Sequence, residues 1–386
     1  MRRAVCALLA LLIAAGIPLA LGEETIMLTD AMYQRATDFD APDLGRLKRV
    51  LQKALNGEDI TLGVIGGSIT EGSLATQYQY CYAGRLKDWW SQRFSGTLTF
   101  KNAGIGATDS YLGVHRVQKH LLRYEPDLVV IEFSVNDWGN DFYQQSYDSL
   151  VQMVLSQPNE PAVILLFMTM ENGNSAFVQH SAVGKKYRLP MLSYKNAVLP
   201  EIRSGAFTWK DISPDDIHPN DVGHKIVCDI LTRYLEGVIS RLDSIPDEAA
   251  PFVPVSPKYA EPRILNSGSL TADVRDKYLV TNFSTRFPGN WQGGQEGSRL
   301  AFTLEECKNV GVLFWRYASQ PGGSVDVYVD GVKTATLNAD FTGGWGDYMY
   351  AQEVYSSPTA APHSIEILPT DGHAGPFVVL GIMLSK

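Results

Sequence analysis

Between residues 60 and 243 short apolar runs alternate with longer amphipathic ones. Residues 60–65, 128–133 and 163–168 are nearly continuous and rich in aliphatic side chains, as strands buried on both faces must be. Residues 97–102 mix polar with apolar positions, which places that strand nearer a sheet edge or a face. Residues 82–94, 112–124, 142–155, 193–203 and 220–242 carry apolar side chains at helical spacing. Such alternation predicts an α/β unit, a parallel sheet with helices on both faces. In such sheets functional groups gather at the carboxyl ends of the strands.

The pattern then changes. Residues 244–262 are proline-rich, lack apolar periodicity and read as a linker. Beyond them, residues 310–317, 324–329, 334–337 and 364–368 are short strand-like runs. Pro321-Gly322-Gly323, Asp330-Gly331, Gly343-Gly344 and Asp371-Gly372 punctuate them. Closely spaced strands with glycine-rich turns predict a β-sandwich of jelly-roll type over residues 263–386, independently folded and non-catalytic. A chain of 386 residues is also long enough for two cores.

At the other end, Arg2 and Arg3 precede an apolar run over residues 4–21 that is broken by Gly16 and Pro18. Ala20-Leu21-Gly22 ends it with small residues where a signal peptidase would need them. This layout predicts a cleaved secretory signal over residues 1–22 and a secreted protein without a stable membrane anchor, rather than a membrane span. Residues 23–243 would then form the first domain. Loss of the two arginines takes the net charge from −9 to −11, which disfavours nucleic acid as a partner. Cys81, Cys228 and Cys307 are too few and too scattered for a disulfide framework or a metal site, and read as buried thiols.

Four loops carry candidate chemistry. In Gly66-Gly67-Ser68-Ile69-Thr70-Glu71 a strand runs into two glycines and a serine, a place for a nucleophile but equally for a helix cap. Thr70 stands where GxSxG needs a second glycine, so an α/β-hydrolase elbow is absent. Asp215-Asp216-Ile217-His218-Pro219 spaces a carboxylate and an imidazole three residues apart before the last helix. A serine hydroxyl needs such a base, and the base needs the carboxylate to fix its tautomer. The same spacing also suits a plain turn. Asn136, after the strand at 128–133, offers an amide to an oxyanion or simply forms a turn. Gly104-Ile105-Gly106-Ala107 offers a backbone N–H, or again only a turn.

Together these four loops resemble the blocks of the SGNH (GDSL-type) hydrolase family, over roughly residues 62–235. The resemblance implies a three-layer, flavodoxin-like α/β/α sandwich and no metal or other cofactor. It implies Ser68 as nucleophile, Asp215 and His218 as its partners, and an oxyanion hole from Ser68, Asn136 and Ala107 or Gly106. Three positions depart from the family pattern: Gly67 replaces an aspartate, Ser134 a glycine, and Ala107 a glycine. The implied activity is a serine esterase cleaving short acyl, above all acetyl, esters on a carbohydrate or a small ester. Competing expectations are a lipase, lysophospholipase or thioesterase for longer acyl chains, and a non-catalytic carbohydrate-binding protein on a hydrolase scaffold. His115, His120, His180 and His224 show no metal-type pairing and are expected to be structural. Trp138, Trp209, Trp291, Trp345 and Tyr348 are open between sugar platforms and core residues.

Overall fold

The computed structural model describes residues 26–386, so the expected signal at 1–22 lies outside the described residues. Two helices, α1 (Asp30–Ala36) and α2 (Gly45–Leu55), precede the alternating region. Strand β1 (Ile60–Gly66) then leads through the single-turn α3 (Ser68–Glu71) to α4 (Tyr82–Arg93). Next come β2 (Leu98–Gly104), α5 (Ser110–His120), β3 (Leu128–Glu132), α6 (Asp141–Leu155) and β4 (Ala162–Phe167). The unit closes with α7 (Phe177–Lys186), β5 (Met191–Ser193), α8 (Tyr194–Ser204), α9 (Trp209–Ile212) and α10 (Asp221–Ile239). Among the described residues no helix is long and apolar enough to cross a membrane.

The five strands pair in parallel in the order β2-β1-β3-β4-β5; of the two places its mixed pattern allowed, β2 takes the edge. Alternate strand residues face opposite layers. Leu62, Val64, Val130 and Ile164 join α2, α4, α8 and α10 in one core, while Ile65, Val129, Ile131 and Leu165 join α5, α6 and α7 in the other. This order reverses direction between β1 and β3. At such a switch point the loops leaving neighbouring strands diverge to opposite faces and open a crevice. Gly66 and Glu132 pair at that end of the sheet, so Ser68 and Asn136 are carried to the rim of the same crevice.

The C-terminal unit consists of β6 (Arg263–Leu265), β7 (Val274–Asp276), β8 (Leu279–Thr281), β9 (Asn290–Gly293), β10 (Arg299–Arg316), β11 (Ser324–Val329), β12 (Val332–Asn338), β13 (Tyr348–Pro369) and β14 (Phe377–Ser385). Seven of its nine strands form one antiparallel path, β12-β11-β13-β10-β14-β9-β8, with β6 added on β14 and β7 on β10. The two long strands β10 and β13 pair along most of their length, with register shifts around Cys307 and Val310 that bend the ladder. Asp330 and Gly331 both have positive φ, 52° and 77°, as a two-residue hairpin turn requires. This is the β-sandwich the strand spacing predicts.

The two units share an apolar cluster. Residues 244–262 run from one to the other, and within them Tyr259 is fully buried between Tyr111 of α5, 5.3 Å away, and His115, 5.5 Å away. The Tyr259 hydroxyl donates to Glu353 of β13 at 2.9 Å, and its backbone N–H to Ser149 of α6 at 3.3 Å. Gly311 of β10 lies so close to α5 that a Cβ there would stand 2.2 Å from the Tyr111 hydroxyl oxygen. The sandwich therefore packs directly on the α5–α6 face of the first unit.

Candidate active site

Ser68 opens α3 directly after β1, and its Oγ lies 2.8 Å from His218 Nε2. His218 Nδ1 lies 2.7 Å from Asp215 Oδ2, so the tautomer that donates to Asp215 leaves Nε2 free to accept the serine proton. The Asp215–His218 loop is rigidly held. Asp215 Oδ1 accepts from the backbone N–H of Ile217 at 2.8 Å and of His218 at 2.6 Å. Ser213 Oγ donates to the carbonyls of Asp215 and His218, and the Trp209 indole donates to the Asp215 carbonyl at 2.6 Å. Partial burial pushes the Asp215 carboxyl up, but its donors from His218 and Ile217 outweigh this and leave it below the usual carboxylate value.

Asn136 follows β3 in a turn closed by its own N–H and that of Asp137 on the Phe133 carbonyl. Its amide stands against Gly67: a Cβ at Gly67 would sit 2.2 Å from Asn136 Oδ1. A side chain at position 67 would therefore press on the Asn136 amide. The serine that replaces a glycine at 134 is buried and stitches β3 to the end of β4, accepting from the Met168 N–H at 2.6 Å.

The third departure is conformational. Ala107 sits at φ +57°, the left-handed region where alanine is strained and glycine is not. The alternative donor, Gly106, is already engaged, since its N–H donates to Glu71 Oε2 at 2.7 Å. Ala107 and Ser68 N–H groups, in contrast, have no backbone acceptor among the described residues. The geometry thus favours Ala107 over Gly106 as a donor to a ligand.

All six residues singled out from the sequence line one cleft of about 770 Å³. Its opposite wall belongs to the C-terminal unit: Arg286, Trp315, Trp345, Asp347, Tyr348 and Met349. Trp345 is 70% exposed and lies 4.7 Å from the Tyr348 ring, whereas Trp291 is buried against Phe302. The expected sugar platform is therefore divided: Trp345 and Tyr348 face the cleft and Trp291 belongs to the core. Trp138 is exposed away from the cleft lining, and Trp209 is buried beneath the Asp215 loop.

The histidines outside the cleft are structural. His115 bonds the Tyr111 carbonyl, His180 pairs with Asp137 at 2.9 Å, and His224 bridges the Tyr82 N–H and the Ser73 carbonyl. Burial pushes His115 and His224 down to about 4; burial and nearby cations push His120 to about 3.

Three contributors escape the sequence pattern. Arg116 is buried in α5 and donates to the carbonyls of Ala103 at 2.6 Å and Gly66 at 2.9 Å, and to Thr108 at 3.3 Å, tying the ends of β1 and β2 together. Burial pushes it down to about 9. Glu71 lies inside the serine block itself, three residues after Ser68, where an acidic residue reads as an ordinary helix-start residue. Arg286 lies in the loop between β8 and β9 and carries no local signal.

A base-linked serine beside free N–H donors at the switch point of a parallel sheet is an arrangement suited to acyl transfer. The chain belongs to the GDSL-like lipase/acylhydrolase family, which its residues 64–226 match, and it is a carboxylic ester hydrolase. Two solved structures of a two-domain esterase active on acetylated mannans are each 30% identical to it. One, co-crystallized with mannopentaose, covers 90% of this chain and 96% of its own, with a TM-score of 0.83. The other covers 92% and 98%, with a TM-score of 0.86. A search of curated proteins found no match.

Proposed function

We propose that this protein removes acetyl groups from an O-acetylated polysaccharide by double displacement at Ser68. The observation that carries the proposal is spatial. The Ser68–His218–Asp215 chain opens into a cleft whose far wall bears the exposed Trp345 and Tyr348. Ser68 Oγ attacks the ester carbonyl carbon while His218 Nε2 takes the hydroxyl proton and Asp215 holds the imidazolium. The oxyanion receives the N–H groups of Ser68 and Ala107 and the Asn136 amide. His218 then returns its proton to the departing sugar oxygen, leaving acetyl-Ser68. Water, deprotonated by the same imidazole, attacks the acyl carbon; acetate leaves and Ser68 recovers its proton.

Aromatic faces beside the nucleophile suit a sugar ring, and the likeness to an esterase active on acetylated mannans makes acetylated mannan the first substrate to test. Asp215, Asp216, Asp347 and Arg286 line the cleft, and a long acyl tail would desolvate them without compensation, which disfavours the lipase alternative. The assay is acetate release from acetylated mannan and acetylated xylan, alongside a nitrophenyl series from acetate to octanoate. Acetate release with activity falling steeply beyond butyrate is expected. A preference for octanoate with no acetate from either polysaccharide would overturn the proposal. We also propose export through residues 1–22; an exported protein beginning at Glu23, read by mass spectrometry, is the expected result, and a retained leader would refute it.

A further inference from the structure

The hydrolytic machinery described so far comes wholly from the first unit, but one contact crosses from the second. Arg286 donates from its guanidinium to Glu71 Oε1, while Glu71 Oε2 accepts the Gly106 N–H at 2.7 Å. Gly106 is the residue before Ala107, and a Cβ at Gly106 would stand 3.8 Å from that of Ser68. One carboxylate therefore links an arginine of the sandwich to the loop that carries the free Ala107 N–H. That loop needs holding, because Ala107 adopts a strained left-handed conformation that an unsupported alanine would leave.

Arg286 is itself braced. Asn290, fully buried, accepts from the Ser284 N–H at 2.9 Å and donates to the Phe287 carbonyl at 2.5 Å, clamping the backbone on both sides of residue 286. Phe287 is buried against His120 of α5, with ring centroids 5.3 Å apart, which fixes the loop to the first unit. The guanidinium also has an electrostatic task. Glu71 is about one-third exposed in the wall beside Ser68, and without a countercharge it would repel the negative charge that develops on the ester oxygen.

We infer that Arg286 is a positioning residue for ester hydrolysis: through Glu71 it holds the Gly106–Ala107 peptide and neutralises the carboxylate beside the oxyanion. This rests on the reading of Ser68 and Ala107 given under the proposed function. It makes the sandwich part of the hydrolytic unit even for an ester too small to touch Trp345. The expectation of a non-catalytic C-terminal unit is thereby narrowed: it supplies no nucleophile, but it supports the site that has one.

The test uses the full chain and p-nitrophenyl acetate, with Arg286→Ala, Arg286→Lys, Glu71→Ala and the Arg286→Ala/Glu71→Ala pair. Arg286→Ala should lower kcat on the order of 10- to 100-fold, the scale of a displacement near 1 Å, with KM within about twofold. Arg286→Lys keeps the charge without the planar fork and should recover part of kcat. Once Glu71 is alanine, removing Arg286 should cost little more, because both act through one contact. If Arg286→Ala does not fold, the lysine variant carries the test through its loss in kcat at unchanged KM. Wild-type kcat in Arg286→Ala, an effect confined to KM, or additive losses in the double variant would each overturn the inference. Ser68→Ala separates the two failures: an inactive Ser68→Ala with a fully active Arg286→Ala sinks only the role of Arg286, whereas an active Ser68→Ala sinks the hydrolytic reading beneath it.

Discussion

Adding a single methyl group at Gly67 should disable the site from within. Gly67 has φ −87°, so Gly67→Ala does not demand the left-handed region. Its Cβ, however, would stand 2.2 Å from Asn136 Oδ1 and 2.8 Å from Asn136 Cγ. Ordinary van der Waals contact begins near 3.4 Å, so the Asn136 amide must withdraw by about 1 Å. That atom is the end of a side chain whose Oδ1 has no partner, so it yields at little cost in stability. The penalty falls on catalysis. Misplacing a reacting group by about 1 Å costs roughly 10²-fold, and loss of one oxyanion donor sets a ceiling of roughly 10³. Gly67→Ala should therefore lower kcat on a nitrophenyl acetate by about 10²–10³, leave KM nearly unchanged, and keep the melting temperature within a few degrees. Asn136→Ala should show the same loss, and the double variant should be no worse than either alone. Near-normal kcat in folded Gly67→Ala protein, or additive losses in the pair, would refute the reasoning.

Ser68→Ala and His218→Ala should each lower kcat by on the order of 10⁴-fold with folding intact, checked by turnover and circular dichroism. Ala107→Gly should relieve the left-handed alanine, raising the urea midpoint by the equivalent of up to about 1 kcal/mol without reducing kcat. Glu132 is fully buried behind α3, bonded to Thr70 at 3.2 Å, and burial pushes its carboxyl up to about 8 from an ordinary value of 4.5. Because the folded state holds that proton more tightly, its contribution is complete below 4.5 and declines as pH rises toward 8. Glu132→Gln should flatten that decline, so urea unfolding at pH 5 and pH 8 should differ less in the variant than in the wild type.

The parts of the fold legible in the sequence are those whose burial is uniform. β1, β3 and β4 are covered on both faces and appear as largely apolar runs, interrupted by Thr61 and Glu132 alone, and each lies within a residue or two of its expected span. β13 is 22 residues long, yet only its last third reads as a strand, because its middle faces solvent and carries serine, threonine and proline. β14 departs in the other direction, being buried along its whole length, so it lacks the polar–apolar alternation of a strand with one wet face. α1 and α2 precede the first strand and fall outside the strand–helix rhythm.

The site divides in the same way. Ser68, Asn136, Asp215 and His218 sit in loops whose composition advertises chemistry, so their convergence could be anticipated. The choice between Gly106 and Ala107 depended on a φ angle and on one hydrogen bond to Glu71, and neither is written in residue type. Arg286 is 215 residues from its partner, and nothing local marks a cation that works at that distance.

Tyr259 and the close approach of Gly311 to Tyr111 fuse the two walls of the cleft through a common interior. Jaws on a hinge can shut around many shapes, whereas a slot cut between welded halves has its width set when the chain folds. Such an enzyme would meet a polymer as a gauge meets a rod, admitting segments that already match the gap and passing over those that do not. On the function proposed above, acetyl position and backbone conformation of the glycan would then be discriminated at entry, before any bond changes.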